Sequence, residues 1–266
     1  MSESLFEPLG ERLVPTDLAR GPWDHHALHG GPTSAAVVRA AEQHLAGEGA
    51  WQVSRVTLEL LRPVPAEPLL FSARTTRPGR KVTLVEVSVT AGEGDGREVA
   101  RAVVVGIRRS ELELPASVRA PRPPDDSPEG ISPGAQPRGA GQWVAFHNTA
   151  VEMRFVSGGF DRLGPCAVWM RLLVPVVAGE EVSPAMRASA LADFGNGVSS
   201  ELEFGAWRFL NPELTVHLAR PPDGEWIRID ARTILGPSGA GVAATELSDR
   251  SGPFGRGAQS LLVEPI

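Results

Sequence analysis

At 266 residues with 42% hydrophobic side chains, the chain suffices for one large domain or two ordinary ones with sizeable cores. A formal charge of -6 and a pI near 5.6 exclude the basic face that non-specific nucleic-acid binding needs, though a local arginine cluster can still hold a small anion. No apolar run reaches the roughly 20 residues that span a bilayer, Cys166 has no partner for an internal disulfide, and MSESLFEPLGERLVP lacks a basic stretch followed by an apolar run, so a soluble cytoplasmic protein is expected.

Residues 32–46 predict a helix. Pro32 suits its first turn, Ala35, Ala36, Val37, Val38 and Ala41 supply a small-residue apolar surface, and Gly47 marks a stop. Four strand-like runs follow at 52–61, 69–76, 81–90 and 98–108, punctuated by Pro63-Val64-Pro65, Pro78-Gly79 and the glycines at 92–96. From 115 to 142 the chain is dense in Pro and Gly with almost no large apolar residue, which predicts an extended linker. Beyond it, strands are expected near 146–155 and 167–173. A helix follows at 184–194, with Ser183 as N-cap and Gly195-Asn196-Gly197 as terminator, and then strands at 207–219, 226–235, 241–249 and 257–263.

The two halves repeat one pattern. Thr57, Leu60, Arg62 and Pro63 recur 158 residues later as Thr215, Leu218, Arg220 and Pro221, and Ala73-Arg74-Thr75 recurs as Ala231-Arg232-Thr233. A long helix lying on an antiparallel sheet, made twice, is the α+β arrangement called a hotdog, here in tandem: 1–114, a linker at 115–142, and 143–266. The same offset sets Ala35 opposite Asp193 and Arg101 opposite Gln259. Polar groups then stand in one copy only, as expected if one of two pseudo-equivalent sites does chemistry.

With His29-Gly30-Gly31 before the first helix, Leu61-Arg62-Pro63 after the first long strand, Leu191-Ala192-Asp193, Leu214-Thr215-Val216-His217 through Arg220-Pro221, Glu225-Trp226 and Gln259, the chain resembles the double-hotdog acyl-CoA thioesterases of the thioesterase II type. The resemblance implies hydrolysis of an acyl thioester to a carboxylic acid and free CoA, with no metal or organic cofactor, in a homo-oligomer paired through sheet edges. It implies that Asp193 and Gln259 orient a water with a third, hydroxyl residue. Anchored on Arg220-Pro221, that third position falls on Asn211, with Thr215 in reserve four residues later at the same strand parity. A carboxylate at a helix C-terminus sits near the negative end of the dipole, which suits Asp193 as general base. Gly30 and Gly31 are candidates for oxyanion N–H groups, His29 for the pocket mouth, and Arg62 and Arg220 for the CoA phosphates or, more mundanely, for nearby carboxylates.

Other readings are weaker. His25 and His29 share too few neighbours for a metal site, the six tryptophans suit core or pocket walls, and Cys166 reads as an inert buried thiol. Neither a nucleophile elbow nor a glycine-rich phosphate loop occurs. Two alternatives to hydrolysis stand: an acyl-thioester-binding protein, favoured by Asn211 in place of a hydroxyl, and a hotdog dehydratase, for which His217 is the only strand histidine.

Overall fold

The computed structural model describes residues 3–92, 96–118, 121–134 and 143–266; parts of the predicted linker and of the 92–96 turn lie outside the described residues. The first half contains β1 (Phe6–Leu9), β2 (Arg12–Pro15), α1 (Gly30–Leu45), β3 (Trp51–Leu60), β4 (Leu69–Arg77), β5 (Val82–Ala91) and β6 (Arg97–Arg108). The second contains β7 (Val151–Gly159), β8 (Arg162–Leu172), α2 (Pro184–Ala192), α3 (Gly195–Val198), β9 (Trp207–Leu210), β10 (Glu213–Leu218), β11 (Ile227–Leu235), β12 (Ala240–Asp249) and β13 (Gly252–Pro265). The strands pair antiparallel into one sheet, with the β9 strand hung on the end of β13. This is the tandem hotdog expected from the sequence.

The sheet is a palindrome about the β3–β10 seam. Outward from the seam run β3-β6-β5-β4-β2-β1 on one side and β10-β13-β12-β11-β8-β7 on the other. Thr57 pairs with Thr215 at the centre, so each repeat meets its own counterpart across a pseudo-twofold axis. Val56, Leu58, Leu214 and Val216 beside it are buried, while intervening residues are more open, the period-2 pattern of a sheet covered on one face. The α1 helix packs on β3, β4 and β5, and α2 on β8 and β10–β12. In α1, Ala35, Ala36, Val37, Val38 and Ala41 are fully buried; each valine contributes on the order of 1.5–3 kcal/mol relative to exposure.

The offset is not constant. Thr57 faces Val103 and Thr215 faces Ala258, so matched residues in β6 and β13 lie 155 apart. The cause is the hairpin connection, five residues between β5 and β6 (92–96) but two between β12 and β13 (250–251). Gln259 therefore matches Val104, not Arg101, and Arg101 matches Arg256. The helices share the shorter offset: Ser34 and Ser189 meet hydroxyl to hydroxyl, 155 residues apart. By that count Asp193 matches Val38 rather than Ala35, and both sites of the first copy are apolar.

Several predicted elements shift. The strand expected from residue 146 begins at Val151, because Phe146–Ala150 form a π-helical turn. Asn148 supports that turn, accepting the Ala145 N–H at 2.9 Å and donating to the Trp143 carbonyl at 2.9 Å. The strand expected over 207–219 splits at Asn211-Pro212, since Pro212 has no N–H for a ladder. The linker segment 121–134 is not free. Asp126 accepts from Trp169 Nε1 at 2.6 Å and from Arg228, and the Pro128 carbonyl accepts from Arg154 at 2.7 Å. Residues 121–134 thus run as a strap over the second half. Among the described residues no helix is long and apolar enough to cross a membrane.

Candidate active site

The hotdog helix of the second half is broken where α1 is continuous. Gly30–Leu45 is one helix, whereas its counterpart is α2, then Asp193 and Phe194, then α3. Gly195-Asn196-Gly197, expected as a terminator, instead starts the next helical turn. Gln259 on β13 fills the break: its Oε1 accepts the Asn196 N–H at 3.0 Å, and its Nε2 donates to the Asp193 carbonyl at 3.1 Å and to Asp193 Oδ1 at 3.0 Å. An apolar residue there would leave buried backbone groups unpaired, at about 1–3 kcal/mol each.

The Asp193 side chain, 3% exposed, is held from three further directions. Asn211 Nδ2 donates to Oδ1 at 2.8 Å. His29 Nδ1 lies 2.8 Å from Oδ2, and Gly30 is so close that a β-carbon on it would stand 2.7 Å from that oxygen. The same Nδ1 is 3.1 Å from the Gly31 N–H, and a single nitrogen cannot accept there and donate to Asp193. The shorter contact to an acceptor-only carboxylate oxygen places the proton on Nδ1, pointing at Asp193. His29 is clamped for this between Phe146 and Phe194, with ring centroids 5.1 and 5.0 Å away. The sequence argument considered one helix dipole; the structure has two, because the N-terminus of α1 and the end of α2 both meet at this carboxylate and act on it in opposite senses.

Counting lone pairs decides what remains open. Oδ1 serves Asn211 and Gln259, and Oδ2 serves His29, so one acceptor position on Oδ2 is left. Asp193, His29, Gly30 and Asn211 all line a cavity of about 620 Å³. Trp23, Phe204 and Phe209 form one wall, with Trp23 stacked on Phe204 at 5.0 Å. A smaller cavity of about 250 Å³ shares Phe160, Gly197 and Phe204 with it and opens toward the exposed residues Asp161, Arg162, Leu163 and Glu203.

The chain as a whole has known counterparts. Residues 19–106 match the family model described as the acyl-CoA thioesterase N-terminal domain, and residues 122–263 match that of the C-terminal domain. The chain belongs to the acyl-CoA thioesterase family. Among solved structures it is similar to acyl-CoA thioesterase II TesB2 from Mycobacterium marinum, with TM-score 0.68 and 17% identity over 98% of this chain and 96% of that one. The tesB protein of Mycobacterium avium subspecies paratuberculosis gives TM-score 0.69 at 16% identity, over 98% of this chain and 96% of that one. A hotdog protein of unknown function from Alicyclobacillus acidocaldarius gives 0.71 at 19%, over 97% and 95%. No curated protein matches by sequence. This thioesterase is by family a thioester hydrolase.

The other residues singled out in its sequence fall in different places. Arg62 lines the mouth of the cavity and is exposed. Arg220 is elsewhere, bonded to buried Asp249 at 2.5 and 2.7 Å and to the Gly252 carbonyl, an ion pair that holds the Asp249 carboxyl below its ordinary range despite burial. Thr215 stays on the seam, 3.4 Å from the Thr57 hydroxyl. Strand parity does not carry from Asn211 to Thr215, because Asn211 lies outside β10. Gly31 is packed against the Ala190 carbonyl and the Phe146 ring instead of lining the cavity. His217 is exposed, and burial pushes the Cys166 thiol up to about 12. Sequence reasoning missed His147 and Asn196, two buried polar residues that line the cavity.

Proposed function

We propose that this thioesterase hydrolyses acyl-CoA by attack of a water bound at the open position of Asp193, which acts as general base. The observation that carries the reading is the carboxylate itself: buried, on the cavity wall, with every lone pair but one already committed. His29 and Asn211 hold it in place through Nδ1–H and Nδ2–H. Asn211, at the position where the resemblance implies a hydroxyl, still offers a donor to Asp193 Oδ1, which supports hydrolysis over mere binding. Gln259 works through Asp193 by fixing the helix break. Gly30, at the N-terminus of α1, offers positive backbone potential to the developing oxyanion. Arg62 at the rim suits the CoA phosphates, which leaves the aromatic interior for the acyl chain.

The test is release of free CoA thiol from a panel of acyl-CoAs. Asp193→Asn is expected to lower turnover about 10²–10⁴-fold, the span of a lost general base. A folded variant within a few-fold of the parent would remove Asp193 from that role. His217 stands exposed on the outer face, so the dehydratase alternative has no strand histidine to use.

A further inference from the structure

The cavity beside Asp193 is not uniformly apolar. His147 is 4% exposed, lines it, and finds no hydrogen-bond partner within the protein at either ring nitrogen. Asn196 is 6% exposed and lines it as well; its Nδ2 is committed to the Phe209 carbonyl at 2.9 Å, but its Oδ1 has no partner. Each unpartnered buried group costs about 1–3 kcal/mol, and a leucine or phenylalanine at either position would remove that cost. His147 rides on the π-helical turn, a feature that recurs where a side chain is displayed for function. Burial, and secondarily the neighbouring His29, push its pKa down to about 4, so the ring is uncharged at neutral pH. An uncharged imidazole offers one N–H donor and one acceptor, and Asn196 adds a second acceptor. That set suits a neutral oxygen function and has no cation to take a carboxylate.

Resting on the hydrolase reading above, we propose that the acyl group this enzyme accepts carries a hydroxyl or keto oxygen close to the thioester, recognised by His147 and Asn196. Closeness follows from the packing: Phe146, next to His147, stands 5.1 Å from His29, which touches Asp193, and Gln259 holds both the Asn196 N–H and Asp193 Oδ1 at 3.0 Å. The rest of the chain packs along the aromatic wall of Trp23, Phe204 and Phe209.

The experiment compares kcat/KM for unsubstituted, 3-hydroxy and 3-oxo acyl-CoAs of equal length, with the parent and with His147→Phe and His147→Gln. The parent is expected to favour an oxygenated substrate by about tenfold or more, the order expected when a buried polar site loses its partner. His147→Phe should bring that ratio near one, and His147→Gln, which keeps a donor and an acceptor, should retain part of it. Equal rates for all three substrates in the parent would overturn the proposal. So would a uniform loss across substrates in His147→Phe, which would assign the ring to the pantetheine amides. Should no ester be cleaved, the hydrolase reading fails alone, because binding of S-alkyl and S-(3-hydroxyalkyl) CoA thioethers still decides the inference. Tighter binding of the hydroxylated thioether supports it, and equal binding sinks it.

Discussion

His147 ties stability to pH in a way its burial predicts. In the unfolded chain the ring takes a proton near 6.5, whereas in the folded protein it does so only near 4. Between these values the unfolded state binds more protons. The contribution is therefore complete above about pH 6.5 and is lost as the pH falls toward 4. From pH 7 to pH 5 the parent should lose about 2 kcal/mol more unfolding free energy than His147→Phe, and parallel denaturation profiles for the two would contradict the burial of the ring. At this scale the sequence was partly legible. Asp193, Asn211 and Gln259 converge as the family resemblance implied, although the strand break that sets Asn211 was not expected. His147 was not legible, since a histidine inside an apparent strand carries no sign that the backbone winds into a π turn. Arg62 and Arg220 occupy matching sequence positions, yet only Asp249 beside Arg220 decides that one of them is an internal ion pair.

The elements were read more securely than their joints. The α1 helix and β3–β6 stand within a few residues of expectation, because amphipathic period and Pro/Gly punctuation agree there. The β1–β2 hairpin escaped notice although the repeat demanded it, as the counterpart of β7–β8. Its strands are too short to show alternation. The helix break at Asp193 is likewise invisible locally; it appears only when α2 and α3 are laid against α1. The two long helices touch where small residues allow it, at Ser34, Ser189 and Gly31. Gly31→Ala would drive a methyl group into the Ala190 carbonyl, and overpacking of this kind costs about 1–3 kcal/mol. A fall in Tm of roughly 3–10 °C is expected, against no change for Gly47→Ala, where nothing lies within 4 Å of the added carbon. Equal melting of the two variants would show that the helices can move apart freely.

At the level of the whole molecule, duplication explains both what was legible and what was not. Shared residues near the axis announced the repeat, while the shorter β12–β13 turn shifted the register by three residues and hid the true counterpart of Gln259. The seam also predicts how a half would behave. A fragment of residues 1–114 exposes the β3 edge, whose unpaired backbone groups are a template for another strand. Since β3 already pairs with a homologue of itself at Thr57, the fragment should dimerise and, lacking Asp193, Asn211 and Gln259, hydrolyse nothing. Light scattering and the thiol assay would check this, and a monomeric fragment would mean that the seam alone does not drive association. His29 and Gly30 come from the first copy and Asp193, Asn211 and Gln259 from the second, so the site is composite across the axis. A covalent tether supplies both contributors at a fixed ratio. Extreme dilution therefore cannot take the proposed centre apart, and each contributor is free to specialise without its change being mirrored in the other.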